Sequence, residues 1–267
     1  MLKNLLKAII HPPANAAASG PADPAAGPSP ARAGGTPFTF AADGLWTSHN
    51  ASFLKDLRFR ESYALGADSG HRICAPADLH IEWRVYLCCW AAQQALRLPG
   101  DFVECGVSTG IVSRAVAHYV DFGRQNKRYW LIDTFDGIPL EQASTRELAL
   151  AQSKNNRHYH DCEQDVKNHF SRYGNVEVIK GRVPEILQTL DIESVAFLHI
   201  DMNIAEPEVQ ALQHFWPRLT PGAIVVFDDY ASMAHQEQKA ALDACAGTRG
   251  FQILALPTGQ GLALKAG

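Results

Sequence analysis

The sequence predicts an α/β protein built on a doubly wound, mostly parallel sheet. From Asp101 to the C-terminus, short apolar runs alternate with longer segments rich in helix formers. A glycine-containing turn follows the first run, and aspartates follow three of the later ones. Strands that alternate with helices at this spacing form parallel sheets covered by helices on both faces. The functional edge is expected where the strands end.

Seven strands are expected in this region. Their segments are Phe102–Cys105, Tyr129–Ile132, Val176–Ile179, Val195–Ile200, Ala223–Phe227, Phe251–Leu256 and Leu262–Lys265. Only a tight turn, Pro257–Gly261, separates the last two, so the last strand is expected to run antiparallel.

Helices are expected in most gaps and before the first strand. In the gaps they cover residues 111–122, 161–173, 184–190, 207–219 and 236–246. A helix from Asp78 to Leu98 has apolar residues on more than one face and ends at Pro99-Gly100. Residues 38–99 are therefore the helical N-terminal part of one domain that spans residues 38–267.

Two N-terminal segments differ from this domain in composition. Residues 12–37 hold seven of the fifteen prolines, mixed with alanine, glycine and serine, so they are expected to form a flexible linker. Residues 1–11 could form a short amphipathic segment, although a frayed terminus is favoured. Their apolar run is short and is broken by Lys7, so no transmembrane segment is expected.

Charge and cysteine content exclude some classes of function. A formal net charge of -4 with scattered lysines and arginines provides no basic field for nucleic acid. The six cysteines show no CxxC spacing and several lie in apolar runs, which is typical of reduced thiols and predicts a cytoplasmic protein. The oligomeric state stays open, with a homodimer as the assembly that exposed helices of an α/β layer often form.

The turn after the first strand carries the strongest signal. Glu104 ends the strand, and two glycines follow it in Asp101-Phe-Val-Glu-Cys-Gly-Val-Ser-Thr-Gly110. Backbone amides at such a turn can hold a charged ligand, which the glycines allow to approach closely. Asp133 ends the next strand, where an acidic residue typically accepts hydrogen bonds from ribose hydroxyls. A nucleoside-binding site is favoured, with loop capping by Glu104 and helix capping by Asp133 as the structural alternatives.

Aspartates also end the fourth and fifth strands, namely Asp201 and the pair Asp228-Asp229. Neighbouring parallel strands place their carboxyl ends side by side, so these carboxylates are expected to converge. A divalent cation would relieve their mutual repulsion, and an all-oxygen set favours Mg²⁺. One aspartate of the adjacent pair could instead cap a helix or bind backbone amides.

Histidines and a cysteine lie near these motifs. His158 and His160 are interpreted as loop or acceptor contacts rather than metal ligands, and His199 as a satisfied core histidine of the fourth strand. His235 could either reach the aspartates or lie on the surface. Cys105 has no strong base indicated beside it, so a nucleophilic role is not expected.

Four motifs in order resemble the macrocin O-methyltransferase family. They read Gly-Asp-Phe-Val-Glu-Cys-Gly-Val from residue 100, Leu-Ile-Asp-Thr-Phe-Asp-Gly-Ile-Pro from residue 131, His-Ile-Asp-Met-Asn from residue 199 and Val-Phe-Asp-Asp-Tyr from residue 226. The resemblance runs from about Asp78 to the C-terminus. It implies a Rossmann-like class I methyltransferase domain that uses S-adenosylmethionine to methylate sugar hydroxyls.

The resemblance also implies roles for the matching residues. The expected cofactor-binding residues are Glu104, Gly106, Ser108, Thr109, Gly110 and Asp133. The expected Mg²⁺ ligands are Asp201, Asp228 and Asp229, and Asp201 would also be the general base. Gln142 to His160 would form a mobile segment over the acceptor pocket. The expected acceptor is a small-molecule hydroxyl of a sugar or glycoside.

One motif departs from the family, and two alternatives stay open. Members that modify antibiotic sugars commonly read Asp-Gly-Asp-Leu-Tyr after the fourth strand, whereas this chain reads Asp201-Met-Asn203-Ile-Ala205. The acceptor could instead be a catechol-like phenol, since metal-dependent enzymes of that kind also gather acids at these strand ends. The chain could also be a non-catalytic nucleoside-binding module. An NAD-dependent oxidoreductase is disfavoured because the first turn lacks GxGxxG.

Overall fold

The computed structural model describes residues 37–267, so the expected N-terminal segment 1–11 and nearly all of the expected linker lie outside the described residues. Nine strands are present in the described part: β1 (Phe40–Ala42), β2 (Leu45–Thr47), β3 (Asp101–Cys105), β4 (Tyr129–Asp133), β5 (Val176–Lys180), β6 (Val195–Ile200), β7 (Leu219–Phe227), β8 (Leu254–Ala255) and β9 (Gly261–Leu264). Seven α-helices accompany them: α1 (Leu57–Ala67), α2 (Glu82–Ala95), α3 (Ile111–Tyr119), α4 (Leu148–Arg157), α5 (Glu163–Phe170), α6 (Ala205–Phe215) and α7 (Gln236–Thr248). None of these helices is long and apolar enough to cross a membrane.

The main sheet has seven strands in the order β5-β4-β3-β6-β7-β9-β8. The strands from β5 to β7 are parallel, whereas β9 runs antiparallel to both β7 and β8. The predicted fold class is confirmed, including the antiparallel last strand. The strand order changes direction between β3 and β6, and open α/β sheets bind ligands at such a switch point.

Alternate residues of the central strands pack into two apolar layers, one on each face of the sheet. Phe102 of β3 and Phe197 of β6 belong to the layer under α1, α2, α3 and α5. Val103 and Leu198, their neighbours in sequence, belong to the layer under α6 and α7. All four side chains are fully buried. This two-sided packing holds the strand ends in fixed positions.

The N-terminal part is helical as expected, but it also contains a hairpin. Strands β1 and β2 pair antiparallel, with Phe40 opposite Thr47. Asp43 lies in the hairpin turn with a left-handed φ of 50°. Strands of three residues are too short to show an alternating hydrophobic pattern, so periodicity did not predict them.

Some boundaries differ from the sequence-based prediction. The predicted helix 184–190 is a 3₁₀ turn, Glu185–Thr189, because so few residues between two strands cannot stabilise an α-helix. The predicted strand Phe251–Leu256 shortens to β8, and β7 begins at Leu219 rather than Ala223. The segment expected over the acceptor pocket, residues 142–160, contains helix α4, which the sequence reading did not include.

Candidate active site

The carboxyl ends of β3, β4, β6 and β7 border two cavities at one edge of the sheet. The larger, of about 320 Å³, is lined by Glu104 and by Asp201, Asp228 and Asp229. The smaller, of about 70 Å³, lies beside Asp133. Five residues line both cavities: Gly106, Ser108, Tyr159, Asp201 and Asn203. The fold therefore brings the predicted nucleoside-binding and metal-binding residues to one place.

The turn between β3 and α3, residues 105–110, is here called the Gly106 turn. Gly106 has a φ of +92°, and a Cβ atom built on it would lie 1.9 Å from the carbonyl oxygen of Asp201. Both the left-handed conformation and the close approach require glycine. Gly110 also has a positive φ, of +89°, but its nearest neighbour, the Ser113 hydroxyl, is 3.3 Å from a built Cβ.

The Asp133 carboxylate organises the Gly106 turn. Its Oδ2 atom accepts hydrogen bonds from the backbone amides of Val107 (2.6 Å) and Ser108 (2.8 Å). Its Oδ1 atom accepts one from the Phe135 amide at 2.5 Å. Asp133 thus does not cap a helix, and it joins the ends of β3 and β4 through charge-assisted hydrogen bonds.

Two of the predicted cofactor residues lie behind this turn. The Thr109 hydroxyl is buried and forms a 2.8 Å hydrogen bond with the Ser69 hydroxyl. Neither Thr109 nor Gly110 lines the two cavities, whereas Gly106 and Ser108 line both. Thr109 and Gly110 therefore shape the turn and do not form its cavity surface.

Glu104 is buried at the end of β3, with 2% of its surface exposed. Its Oε2 atom accepts a hydrogen bond from the Tyr129 hydroxyl at 2.7 Å. Its Oε1 atom lies 3.6 Å from Nδ1 of His199, and the residue lines the larger cavity. A buried carboxylate with so few donors suits a ligand that brings a cation or further donors.

The three aspartates that end β6 and β7, here called the acid cluster, line the same cavity. One oxygen each of Asp201 and Asp228 and one nitrogen of His199 lie within 4.8 Å of one another, a spacing that can hold a metal ion. Both nitrogens of His199 are buried without a hydrogen-bond partner, and Nε2 lies 3.7 Å from Oδ1 of Asp228. His199 is fully buried in β6, as expected of a core histidine, and its ring lies between Glu104 and Asp228 of the candidate site.

Arg84 of α2 balances much of this negative charge. Its Nη1 atom lies 2.5 Å from Oδ2 of Asp228 and 3.2 Å from Oδ1 of Asp229. Its Nε atom donates to Oδ2 of Asp43 in the β1–β2 turn at 2.8 Å. No pattern in the sequence distinguished Arg84 from an ordinary arginine on a helix surface, and it is the main functional residue that the sequence reading missed.

A second cation enters the acid cluster from α4. The ammonium group of Lys154 lies 3.5 Å from Oδ2 of Asp229 and 3.1 Å from Nε2 of His235, and it donates to Oδ1 of Asn203. Nε2 of His235 is itself 3.3 Å from Oδ2 of Asp229, and the ring is buried. His235 therefore reaches the acid cluster, which was one of the two predicted alternatives.

The surroundings of Asp201 and Asp228 shift the pKa values of these two carboxyl groups in opposite directions. Burial, together with the charges of Asp228 and Asp229, raises the pKa of Asp201 well above its ordinary value. Burial alone would also raise the pKa of Asp228, but Arg84 and His199 outweigh it and hold that pKa below the ordinary range. Asp228 is thus the ionised partner of Arg84, whereas the surroundings of Asp201 favour its protonated form.

Buried polar side chains support the loops around the acid cluster. Oε1 of Glu208 accepts hydrogen bonds from the Met202 and Asn203 amides at 3.1 and 3.0 Å, and from Gln238 at 2.7 Å. Nε2 of Gln260 donates to Oδ1 of Asp228 at 2.8 Å. These contacts fix the backbone after β6 and leave Asp228 with both of its oxygens bound.

Tyr159 lies between the two cavities, just after α4. Its hydroxyl accepts a 3.1 Å hydrogen bond from Nδ2 of Asn203, and burial followed by the charge of Asp201 raises its pKa. Of the two nearby histidines, His158 lines the larger cavity. The segment 142–160 therefore covers the edge through Lys154, His158 and Tyr159.

Comparison with known protein families matches the part of the chain that contains the candidate site. The family described as macrocin-O-methyltransferase (TylF) matches residues 88–250. This range includes the Gly106 turn, Asp133 and the whole acid cluster.

Curated relatives match about half of the chain. A Streptomyces olivaceus protein named 8-demethyl-8-(2,3-dimethoxy-alpha-L-rhamnosyl)-tetracenomycin-C 4'-O-methyltransferase is 33% identical over 152 residues, 50% of this chain and 54% of that protein. The mycinamicin III 3''-O-methyltransferase of Micromonospora griseorubida is 29% identical over 158 residues, 54% of this chain and 61% of that protein. The chain thus matches between half and two thirds of the length of these relatives.

Solved structures share the architecture. The O-methyltransferase NovP superposes with a TM-score of 0.65 at 22% identity, covering 82% of this chain and all of NovP. The calicheamicin methyltransferase CalS11 has a TM-score of 0.53 at 17% identity, covering 81% of this chain and 94% of CalS11. At these identities the likeness concerns the fold alone. The family match, which spans more than half of the sequence, establishes that this chain belongs to the macrocin-O-methyltransferase family.

Proposed function

We propose that the protein is an S-adenosylmethionine-dependent O-methyltransferase that acts on a hydroxyl of a sugar or glycoside. One observation carries the proposal: the Gly106 turn packs directly against the backbone of Asp201 at the switch point of the sheet. A nucleoside cofactor held by this turn would lie beside a carboxylate that can accept a proton. Membership of the family supports the same reaction.

Six residues at the ends of β3 and β4 are proposed to bind the cofactor: Glu104, Gly106, Ser108, Thr109, Gly110 and Asp133. Glu104 would pair with the ammonium group of the methionine portion, which would give this buried carboxylate a counter-charge. Asp133 would accept hydrogen bonds from the ribose, since each carboxylate oxygen has more than one lone pair. Thr109 and Gly110 would act through the shape of the turn.

The acid cluster is proposed to hold Mg²⁺, and the donor set fits such an ion. Asp201, Asp228 and Asp229 would provide hard oxygen ligands. One oxygen each of Asp201 and Asp228 and one nitrogen of His199 lie within 4.8 Å of one another, which supports an ion at this edge. A divalent cation bound there would polarise an acceptor hydroxyl and lower its pKa.

Asp201 is proposed to be the general base. An alkyl hydroxyl is a weak nucleophile at neutral pH, and proton transfer to a positioned base contributes about 10²–10⁴-fold to the rate. Asp201 lines both cavities, whereas both oxygens of Asp228 are bound by Arg84 and Gln260. The methyl group of a sulfonium is already activated for in-line displacement. The other residues of the site therefore serve mainly to align the cofactor with the acceptor and to exclude water.

The proposed acceptor class rests on the relatives. Two of them are named for the rhamnosyl group of a tetracenomycin and for mycinamicin III, and a Streptomyces niveus relative is a demethyldecarbamoylnovobiocin O-methyltransferase. A catechol-like phenol is the second candidate acceptor. It is compatible with the acid cluster, since metal-dependent enzymes that methylate catechols also gather acidic side chains at these strand ends.

The thiols are consistent with a cytoplasmic enzyme that does not use cysteine chemistry. All six cysteines are unpaired, and five of them are buried. Burial raises the pKa of the Cys105 thiol and that of Cys162, the latter to about 12, so both stay protonated at neutral pH. A reducing compartment such as the cytoplasm is therefore the proposed location, and Cys105 is not proposed as a nucleophile.

Calorimetric titration with S-adenosylhomocysteine, in Mg²⁺ and again after chelation, tests the cofactor assignment. We expect micromolar binding under both conditions, because the six proposed cofactor residues include none of the acid cluster. Absence of binding under both conditions would remove the basis of the proposed function.

Asp201→Asn tests the assignment of the base. We expect the variant to bind S-adenosylhomocysteine like the wild type and to lose about 10²–10⁴-fold in turnover, because the amide cannot accept the proton. Methyl transfer would be measured on a panel of glycosides and catechols, which also separates the two acceptor classes. Asp191→Asn, at an exposed position before β6, is the matched control. Undiminished turnover of Asp201→Asn would exclude Asp201 as the base.

A further inference from the structure

Lys154 occupies a position that the family motifs do not explain. Its side chain is 23% exposed and extends from α4 toward the acid cluster. Its ammonium group contacts Oδ2 of Asp229, Oδ1 of Asn203 and Nε2 of His235. Asn203 and His235 are themselves buried, with 8% and 6% of their surfaces exposed. Three acceptor atoms from two different loops thus surround one positive charge.

These acceptors are of the kind that would otherwise bind a metal ion. Carboxylate, amide and imidazole groups all ligate divalent cations. Three neighbouring carboxylates repel one another unless a cation lies between them. Lys154 meets part of that requirement with a charge that belongs to the chain. A divalent cation that binds Asp229 would therefore encounter an ammonium group already in contact with the same oxygen.

Arg84 and Lys154 differ in how firmly they are held. Arg84 makes ion pairs with Asp43 as well as with Asp228 and Asp229, and it is anchored on α2. Lys154 has a single carboxylate partner at 3.5 Å and lies on a ten-residue helix of which Ala151 alone is fully buried. Of the two cations, Lys154 is the one with a single carboxylate partner, whereas Arg84 has three.

We propose that Lys154 is a built-in cation that competes with a divalent metal ion for Asp229 and Asn203. This inference rests on the proposed function, because it concerns the metal site of that reaction. When Lys154 occupies the acid cluster, the affinity for a divalent ion is reduced. When the ion binds, the lysine moves away from Asp229, and α4 is released from its contact with the loops after β6 and β7.

Direct measurement of Mn²⁺ binding to the full chain tests the competition. Free Mn²⁺ would be followed by its electron paramagnetic resonance signal in titrations of the wild type, Lys154→Met and Lys154→Arg. We expect Lys154→Met to bind Mn²⁺ at least about tenfold more tightly, because a neutral side chain of similar length removes a charge next to the ligands. Lys154→Arg keeps the charge and should resemble the wild type.

Lys167→Met is the matched control, because Lys167 pairs with Glu163 on the exposed face of α5. Unchanged or weaker Mn²⁺ binding by Lys154→Met would overturn the proposal, as would the absence of Mn²⁺ binding by all variants. Calorimetry with S-adenosylhomocysteine on the same samples keeps the two questions apart. Its binding by Lys154→Met would show an intact fold and an intact cofactor site whatever the metal result.

Discussion

The candidate active site has two halves that balance their buried charges in different ways. The proposed cofactor half consists of Glu104, the Gly106 turn and Asp133, and the acid half consists of the acid cluster with Arg84 and Lys154. In the cofactor half, Asp133 is bound by the backbone amides of Val107, Ser108 and Phe135, none more than 26 residues away in sequence. In the acid half, Asp228 is bound by Arg84, which lies 144 residues away in sequence. The first half uses backbone groups that any strand-to-helix turn provides, and the second uses side chains from separate segments of the chain.

This difference determines how each half depends on the rest of the fold. Backbone donors are in place once β3 and β4 have paired, so the cofactor half is complete within one βαβ unit. The acid half is complete only when α2, α4 and the loops after β6 and β7 have packed together. We therefore expect loss of a charge partner in the acid half to cost more stability than loss of a hydrogen-bond acceptor in the cofactor half.

The strongest test of this comparison is Arg84→Met. It leaves Asp43, Asp228 and Asp229 without their shared cation, and removal of one partner from a buried ion pair typically costs about 3–5 kcal/mol. Urea denaturation followed by circular dichroism would measure the loss of free energy of unfolding. Arg146→Met removes an exposed ion pair with Glu237 and should cost less than about 1 kcal/mol. Equal effects of the two substitutions would show that Arg84 is not the counter-charge of the acid half.

The sequence predicted the cofactor half more completely than the acid half for a physical reason. Glu104, Gly106 and Asp133 act at strand ends, and apolar runs locate strand ends well. The aspartates of the acid cluster were located in the same way. Their cations were not, because the direction of the Arg84 side chain depends on how α2 packs against the sheet. Nothing local in the sequence encodes that packing.

The second test addresses the contact between the two halves. In Gly106→Ala the new methyl group would overlap the Asp201 carbonyl. We expect a loss of about 1–3 kcal/mol from overpacking, together with about 1–2 kcal/mol from the left-handed backbone. S-adenosylhomocysteine binding should be lost as well, because the turn must move.

Gly44→Ala measures the cost of the left-handed backbone without the cost of overpacking. Gly44 has a φ of +71°, and a Cβ atom built on it has no neighbour within 4 Å. The free energy of unfolding of the Gly44→Ala variant should fall only by the cost of a left-handed backbone at alanine, about 1–2 kcal/mol. If Gly44→Ala and Gly106→Ala cost the same, the packing of the Gly106 turn against Asp201 would have no energetic consequence.

Helix α4 shows a second limit of prediction from sequence. The resemblance predicted a segment over the acceptor pocket at residues 142–160 but no helix within it, and Leu148–Arg157 forms a helix with only one fully buried residue. Such a helix has a weak apolar stripe, so its periodicity gives little signal. Its contribution to the site, Lys154, is fixed by polar contacts with Asn203 and His235, which a hydrophobic pattern does not report.

Among the three substitutions at the candidate site, Asp133→Asn is expected to cost less stability than Arg84→Met or Gly106→Ala. The amide keeps one acceptor oxygen, but its NH₂ group must then face one or more of the amides that the carboxylate bound, a loss of about 1–3 kcal/mol. Affinity for S-adenosylhomocysteine should fall, whereas Mn²⁺ binding at the acid cluster should stay unchanged. Calorimetry and paramagnetic resonance on the same variant would measure both, with Asp136→Asn, at an exposed position in the same loop, as the control. A parallel loss of Mn²⁺ binding would mean that the Gly106 turn transmits the change to Asp201, and the two halves would then form one coupled unit.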